Sequence, residues 1–150
     1  MRCQRCIFKI YMLQKLIINT TKKRQVIDIT KILNDLLMKN SYYDGLCFLF
    51  CLHTTCAVTT ADLDPGGTDE DYMNAYESMM PKIAFKHPHD PGHFPEHLFA
   101  STIGSSLFVP VQSASLVLGM SQKIALIEFS GPGERRILFY FIKESGKTAY

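Results

Sequence analysis

The sequence predicts an α+β domain built on a mostly antiparallel sheet with a few flanking helices. Three observations lead there. Its 150 residues suffice for one compact core and hardly for two. Strand-length apolar runs open the chain, helical patterns occupy its middle, and the last third is a run of strands separated only by turns. With no helical pattern between those last strands, a parallel sheet would lack its crossovers.

Taken in order, LQKLIIN (13–19) and RQVIDI (24–29) read as strands around a polar turn at Thr20 to Lys23. Thr30 is the expected cap of a helix whose Ile32, Leu33, Leu36 and Leu37 form one apolar stripe. Asn40 and Ser41 end it. Asp44-Gly45 then turns the chain into one long strand expected from Leu46 to Thr60, apolar on both faces until His53. Asp64-Pro65-Gly66-Gly67 breaks the chain, and Thr68 with Asp69, Glu70 and Asp71 reads as a capping-box-like helix start. Pro81 stops that helix. A proline-rich loop over 82–95 follows, and Pro95 is placed to open a short helix with His97. Four strands are expected over 105–111, 115–120, 123–129 and 135–143. Gln112 to Ala114 and Gly131-Pro132-Gly133 supply turns.

Composition excludes several classes. A chain 47% hydrophobic and 20% charged folds rather than staying disordered. No apolar run approaches the roughly 18 residues of a membrane span. A net charge of +2 is too balanced for a nucleic-acid binder. The basic excess belongs to residues 1–11, which hold Arg2, Arg5 and Lys9 and no acid. This leader is a poor signal peptide, because Lys9, Gln14 and Lys15 interrupt its apolar stretch. It reads as a dispensable extension before a single domain at 12–150, with Met12 as a plausible natural start. The cysteines are odd in number, at 3, 6, 47, 51 and 56. Cys3 and Cys6 form a C-x-x-C without a second half, the other three serve as small hydrophobes, and a reducing cytoplasm fits best.

Two features point to chemistry. All five histidines fall between positions 53 and 97, and Glu128 sits inside the apolar IALIEFS on the face of Ile124 and Leu126. A carboxylate there needs a cation, a metal or hydrogen-bond donors. Imidazoles with a carboxylate suit a divalent metal ion such as zinc. The competing reading leaves the loop histidines in solvent, satisfies the His53 ring in the core and pairs Glu128 with Arg135 or Arg136. No G-x-G-x-x-G, Walker loop or G-x-S-x-G is present.

HTTCAVTT (53–60), PEHLFASTIGSSLFVPV (95–111), LVLGMSQKIALIEFSGPGERR (116–136) and VIDIT (26–30) together resemble the YjbQ-like, or secondary thiamine-phosphate synthase, family. The resemblance covers about residues 13–143. It implies an α+β β-sandwich-like fold assembled as a homotrimer, with sites near subunit boundaries and no nucleic-acid or membrane partner. It also implies a histidine cluster holding a metal or an anion. The implied activity is a weak thiamine-phosphate synthase reaction, joining hydroxymethylpyrimidine diphosphate to a thiazole phosphate with release of pyrophosphate.

His53, His97 and Glu128 match the family's motif positions, as do Arg135 and Arg136. Phe85-Lys86-His87 resembles the family's aromatic-x-His, with His89 as the alternative. The resemblance thus implies His53, His87 and His97 as metal or phosphate ligands, with Glu128 orienting a histidine or closing the coordination shell, and His53, His97 and Glu128 as the catalytic candidates. Arg135, Arg136, Ser105 and Ser106 are further candidate donors to the phosphorylated substrate. The chain departs from the family at His93, where Asn is common, and at Asp62, where Glu is. It also has Gly119-Met120-Ser121-Gln122-Lys123 for Gly-Thr-Trp-Gln-Gly, losing an indole expected near the pocket. A non-catalytic, ligand-binding homo-oligomer is the competing function.

Overall fold

The computed structural model describes residues 7–145, and side chains over 13–143. Cys3 and Cys6 lie outside them.

Eight strands form two sheets, and every pairing within them is antiparallel. The larger runs β1(Ile7–Thr20), β8(Gly133–Ser145), β3(Gly45–Cys51), β5(Ser106–Gln112), β6(Ser115–Leu116). The smaller runs β2(Gln25–Asp28), β7(Gln122–Glu128), β4(Cys56–Asp62). Between the sheets lies the main core, in which Cys47, Leu49, Val109, Ile137, Phe139 and Phe141 from the larger sheet meet Val58, Ile124 and Leu126 from the smaller. α1(Thr30–Lys39) adds Leu33 and Leu37 to it. On the other face of the smaller sheet, Ala125, Ile127 and Phe129 pack against α2(Thr68–Ser78) and α3(Phe94–Ile103) through Tyr72, Tyr76 and Phe99. Residues 124–128 of β7 are therefore buried on both sides, as their unbroken apolar run required. Burial pushes the Cys47 thiol up to about 12, in keeping with a cysteine that serves as a hydrophobe. Among the described residues no helix is long and apolar enough to cross a membrane.

Several boundaries differ from those expected. The run Leu46 to Thr60 is two strands in different sheets, separated at residues 52–55. Apolar periodicity continues through the break because the chain passes from one core-facing sheet to the other, so hydrophobicity alone cannot mark it. The strand expected over 115–120 shrinks to Ser115–Leu116. β1 reaches back to Ile7, opposite Ser145, across the domain boundary expected at residue 11.

Thr30 is the first residue of α1 and not its cap. Its N–H donates to Asp28 Oδ1 at 2.8 Å, and its Oγ1 accepts the Ile124 N–H at 2.8 Å, tying helix to sheet. Likewise Thr68 lies inside α2, with its hydroxyl donating to the Asp64 carbonyl at 2.9 Å, and the capping position is Gly67 at φ +118°. That backbone conformation suits glycine.

Candidate functional site

The break between β3 and β4 matters because it carries His53. The Cys51 N–H bonds to the Ser105 carbonyl at 2.7 Å and the Leu52 N–H to the Arg136 carbonyl at 3.0 Å, fixing where the chain leaves the larger sheet. His53 Nε2 then accepts the backbone N–H of Arg136 at 2.8 Å. A nitrogen that accepts carries no proton, so the neutral ring holds its proton on Nδ1. Burial, and next the Arg135 charge, push the His53 pKa below the usual imidazole range, so the ring stays neutral.

His97 lies in α3 and reaches the same loop, its Nδ1 donating to the Thr54 carbonyl at 3.1 Å. A carbonyl can only accept, so in the neutral ring Nε2 keeps its lone pair. His87 comes from the proline-rich loop and stacks on His97, with ring centroids 5.1 Å apart. His53, His87 and His97 line one open cavity of about 720 Å³, together with Thr54, Ser101, Ser105 and Ser106. Phe94, Leu98 and Ala100 supply its apolar wall. Of the two alternatives, His87 lines the cavity and His89 does not.

Other expected residues are engaged elsewhere. Glu128 has no exposed surface, and no histidine is among its hydrogen-bond partners. Arg135 grips it through Nε and through Nη2, the latter at 3.0 Å. The Thr20 hydroxyl and the Ser130 N–H complete its shell. Glu128 thus follows the ion-pair alternative, and Arg135, which also donates to the Ser130 carbonyl, is not a free phosphate donor. Gly131 closes this corner: a Cβ there would meet the Lys22 carbonyl oxygen at 2.5 Å. The Arg136 side chain pairs with Glu134 on the surface, and only its backbone serves the site. Ser121, at the position of the family's Trp, lies in the turn before β7 and does not line this cavity.

The sequence reading left one pair without a role. Glu96, 4% exposed in the first turn of α3, meets His93 Nδ1 through Oε2 and Lys23 Nζ through Oε1 at 3.5 Å. The His93 ring sits edge-on to His97 at a centroid distance of 4.8 Å. The available signal was the i,i+3 spacing of His93 and Glu96, which places both on one helical face.

The donor set bears on which ligand fits. His97 Nε2 suits a metal, whereas His53 presents an N–H and does not. Among the described residues no three His, Cys, Asp or Glu side chains converge as a ligand set. The cavity's hydroxyls and the His53 N–H suit an oxyanion.

Together the two-sheet fold and the histidine cavity define an α+β protein with a small-molecule-sized pocket, lined by histidines, hydroxyls and an apolar wall, between the 52–55 loop, α3 and the start of β5. The chain belongs to the UPF0047 YjbQ-like family, whose sequence pattern matches residues 14–144. It is 32% identical to the UPF0047 protein YugU of Bacillus subtilis over 83% of this chain and 94% of that one. It is 33% identical to a UPF0047 protein of Archaeoglobus fulgidus over 83% and 96%. Among solved structures, a YbjQ-like protein of unknown function from Sulfolobus solfataricus superposes with a TM-score of 0.80 at 28% identity, covering 92% of this chain and all of that one. A YjbQ/UPF0047 protein from Clostridium acetobutylicum does so with a TM-score of 0.73 at 30% identity, covering 88% and 99%.

Proposed function

We propose that the cavity binds a small phosphorylated substrate and that the protein is an enzyme with weak thiamine-phosphate synthase activity. The observation that carries this reading is the meeting of His53, His87 and His97, distant in sequence, on one cavity with Ser105 and Ser106. In the reaction, the bond between the pyrimidine methylene carbon and the diphosphate oxygen breaks. The thiazole nitrogen supplies the electron pair for the new C–N bond, and pyrophosphate leaves. Hydrogen-bond donors around the leaving group stabilise its growing charge. A divalent metal held at His87 and His97 is a further proposal: it would take the lone pair on His97 Nε2 in place of a ligand's proton and would neutralise charge on the pyrophosphate.

The test is turnover of hydroxymethylpyrimidine diphosphate and thiazole phosphate by wild type and His97→Ala. Product formation that disappears in the variant is expected. Wild-type turnover that is absent, or unchanged in the variant, sinks the enzymatic reading.

A binding-only homo-oligomer is the second reading, and the outer face of the larger sheet supports assembly as a homotrimer. There the rings of Phe48 and Phe108 lie 4.5 Å apart, and Phe48 and Tyr140 6.1 Å. Phe108 and Ile17 are each 56% exposed. Among the described residues no helix covers this face, and contiguous apolar surface of this kind marks a contact between chains. A trimer built there, working in the reducing cytoplasm that suits the buried free thiols of Cys47, Cys51 and Cys56, is compatible with either function.

A further inference from the structure

His53 and His97 flank the same residue, Thr54, yet present opposite polarity to the cavity. The peptide N–H of Arg136 occupies His53 Nε2 at 2.8 Å, and no described residue takes the Nδ1 proton. The Thr54 carbonyl occupies His97 Nδ1 at 3.1 Å and leaves Nε2 as an acceptor. Both constraints come from backbone groups whose roles are invariant: an amide N–H only donates, and a carbonyl only accepts. Neither ring can exchange roles without losing its anchor.

We infer that His53 is a fixed, neutral N–H donor to a ligand oxyanion and His97 the matching proton acceptor. The cavity therefore selects a phosphorylated molecule that also bears a proton-donating group, hydroxyl or amine, close to its phosphate. This rests on the proposed reading of the cavity as a phosphate site, and it removes His53 from any metal shell. A metal at His53 Nε2 would have to displace the Arg136 N–H. One at Nδ1 would have to expel the ring's proton, leaving an imidazolate. The adjacent hydroxyls of Ser105 and Ser106 extend the donor side of the pocket. The donor role also explains why a histidine on a turn between two sheets is anchored to a backbone amide 83 residues further along the chain, at Arg136 in β8. The anchor holds the ring plane and the proton position together.

The experiment is long-range proton–nitrogen NMR of the wild-type protein labelled at its histidine rings, at pH 7, with inorganic phosphate and zinc as separate titrants. The expected spectrum has His53 protonated on Nδ1 alone and His97 on Nδ1. Phosphate is expected to move the His53 Nδ1–H signal, and His53→Ala to weaken phosphate binding roughly 10-fold or more, the loss of one hydrogen bond to a charged group. Zinc affinity is expected to be the same in His53→Ala and wild type. A His53 ring protonated on Nε2 or on both nitrogens overturns the inference by itself. So does zinc binding that falls when His53 is removed. A wild type with the expected tautomers that binds no phosphate overturns the cavity's phosphate reading, and the ligand selectivity drawn from it, while the assignment of proton positions stands.

Discussion

Arg135 lies across Glu128, its Nε and Nη2 each donating to one oxygen of a carboxylate that has no exposure to solvent. This pair joins β7 to β8 and therefore the two sheets to each other. Breaking a buried pair from one side leaves an uncompensated charge, which costs about 3–5 kcal/mol. Arg135→Met should lower the urea unfolding free energy by about that much, whereas Arg135→Met combined with Glu128→Leu should cost less than the two single changes added. Additive losses in that double-mutant cycle would show that the pair is not coupled.

His97 is held at only one nitrogen and half-buried, so its removal should leave the fold largely intact. His97→Ala is expected to lower turnover by about 100-fold or more, the usual worth of a group that positions the substrate at the reacting centre, with little change in the thermal midpoint. Equal losses of activity and stability would mark the ring as structural.

The depressed His53 pKa has a definite consequence for stability. Above the unfolded value of about 6.5 the ring is neutral in both states and full stability is present. Below it the unfolded chain takes up a proton that the folded ring refuses, so stability falls as pH drops toward the folded value. Burial and the charges of Arg135 and Arg136 drive this, with Glu128 and Glu134 opposing. Thermal midpoints between pH 7.5 and 5 should therefore decline, and the decline should be shallower in His53→Gln. Identical slopes would assign the loss to other groups.

On the outer face of the larger sheet, a charge at Phe108 should break an assembly without touching the core, since its ring is 56% exposed. Phe108→Lys is expected to shift the mass measured by light scattering from oligomer to monomer while leaving circular dichroism unchanged. An unchanged mass would place any contact between chains elsewhere.

How far the sequence could be read depended on the kind of information required. Leu33 and Leu37 of the α1 stripe and the strands β5, β7 and β8 were legible because burial imposes a pattern on local residues, and that pattern is written along the chain. By contrast, Ile32 of the stripe is exposed and the expected 115–120 strand is only two residues long. The break at residues 52–55 was not legible, because Cys51 and Cys56 both face a core, the first from the larger sheet and the second from the smaller. Glu128 stood out as an anomaly, but only packing could choose between a histidine cluster and Arg135. Glu96 carries no local sign of its burial, because a carboxylate in a first helical turn already complements the helix dipole. Its burial against His93 and Lys23 depends on the β1–β2 loop folding back over α3.

Alone, the sequence determined the antiparallel α+β class, the family, and the histidines that approach one another. The class follows from residue type and local periodicity, and the family with its histidines from the order of the motifs that carry the resemblance. Tertiary structure alone decided which nitrogen of His53 and of His97 carries its proton and which cation neutralises Glu128. Both depend on a backbone amide, a carbonyl or a guanidinium supplied from a remote strand, and hydrogen-bond polarity at such a contact exists only once the partners have met.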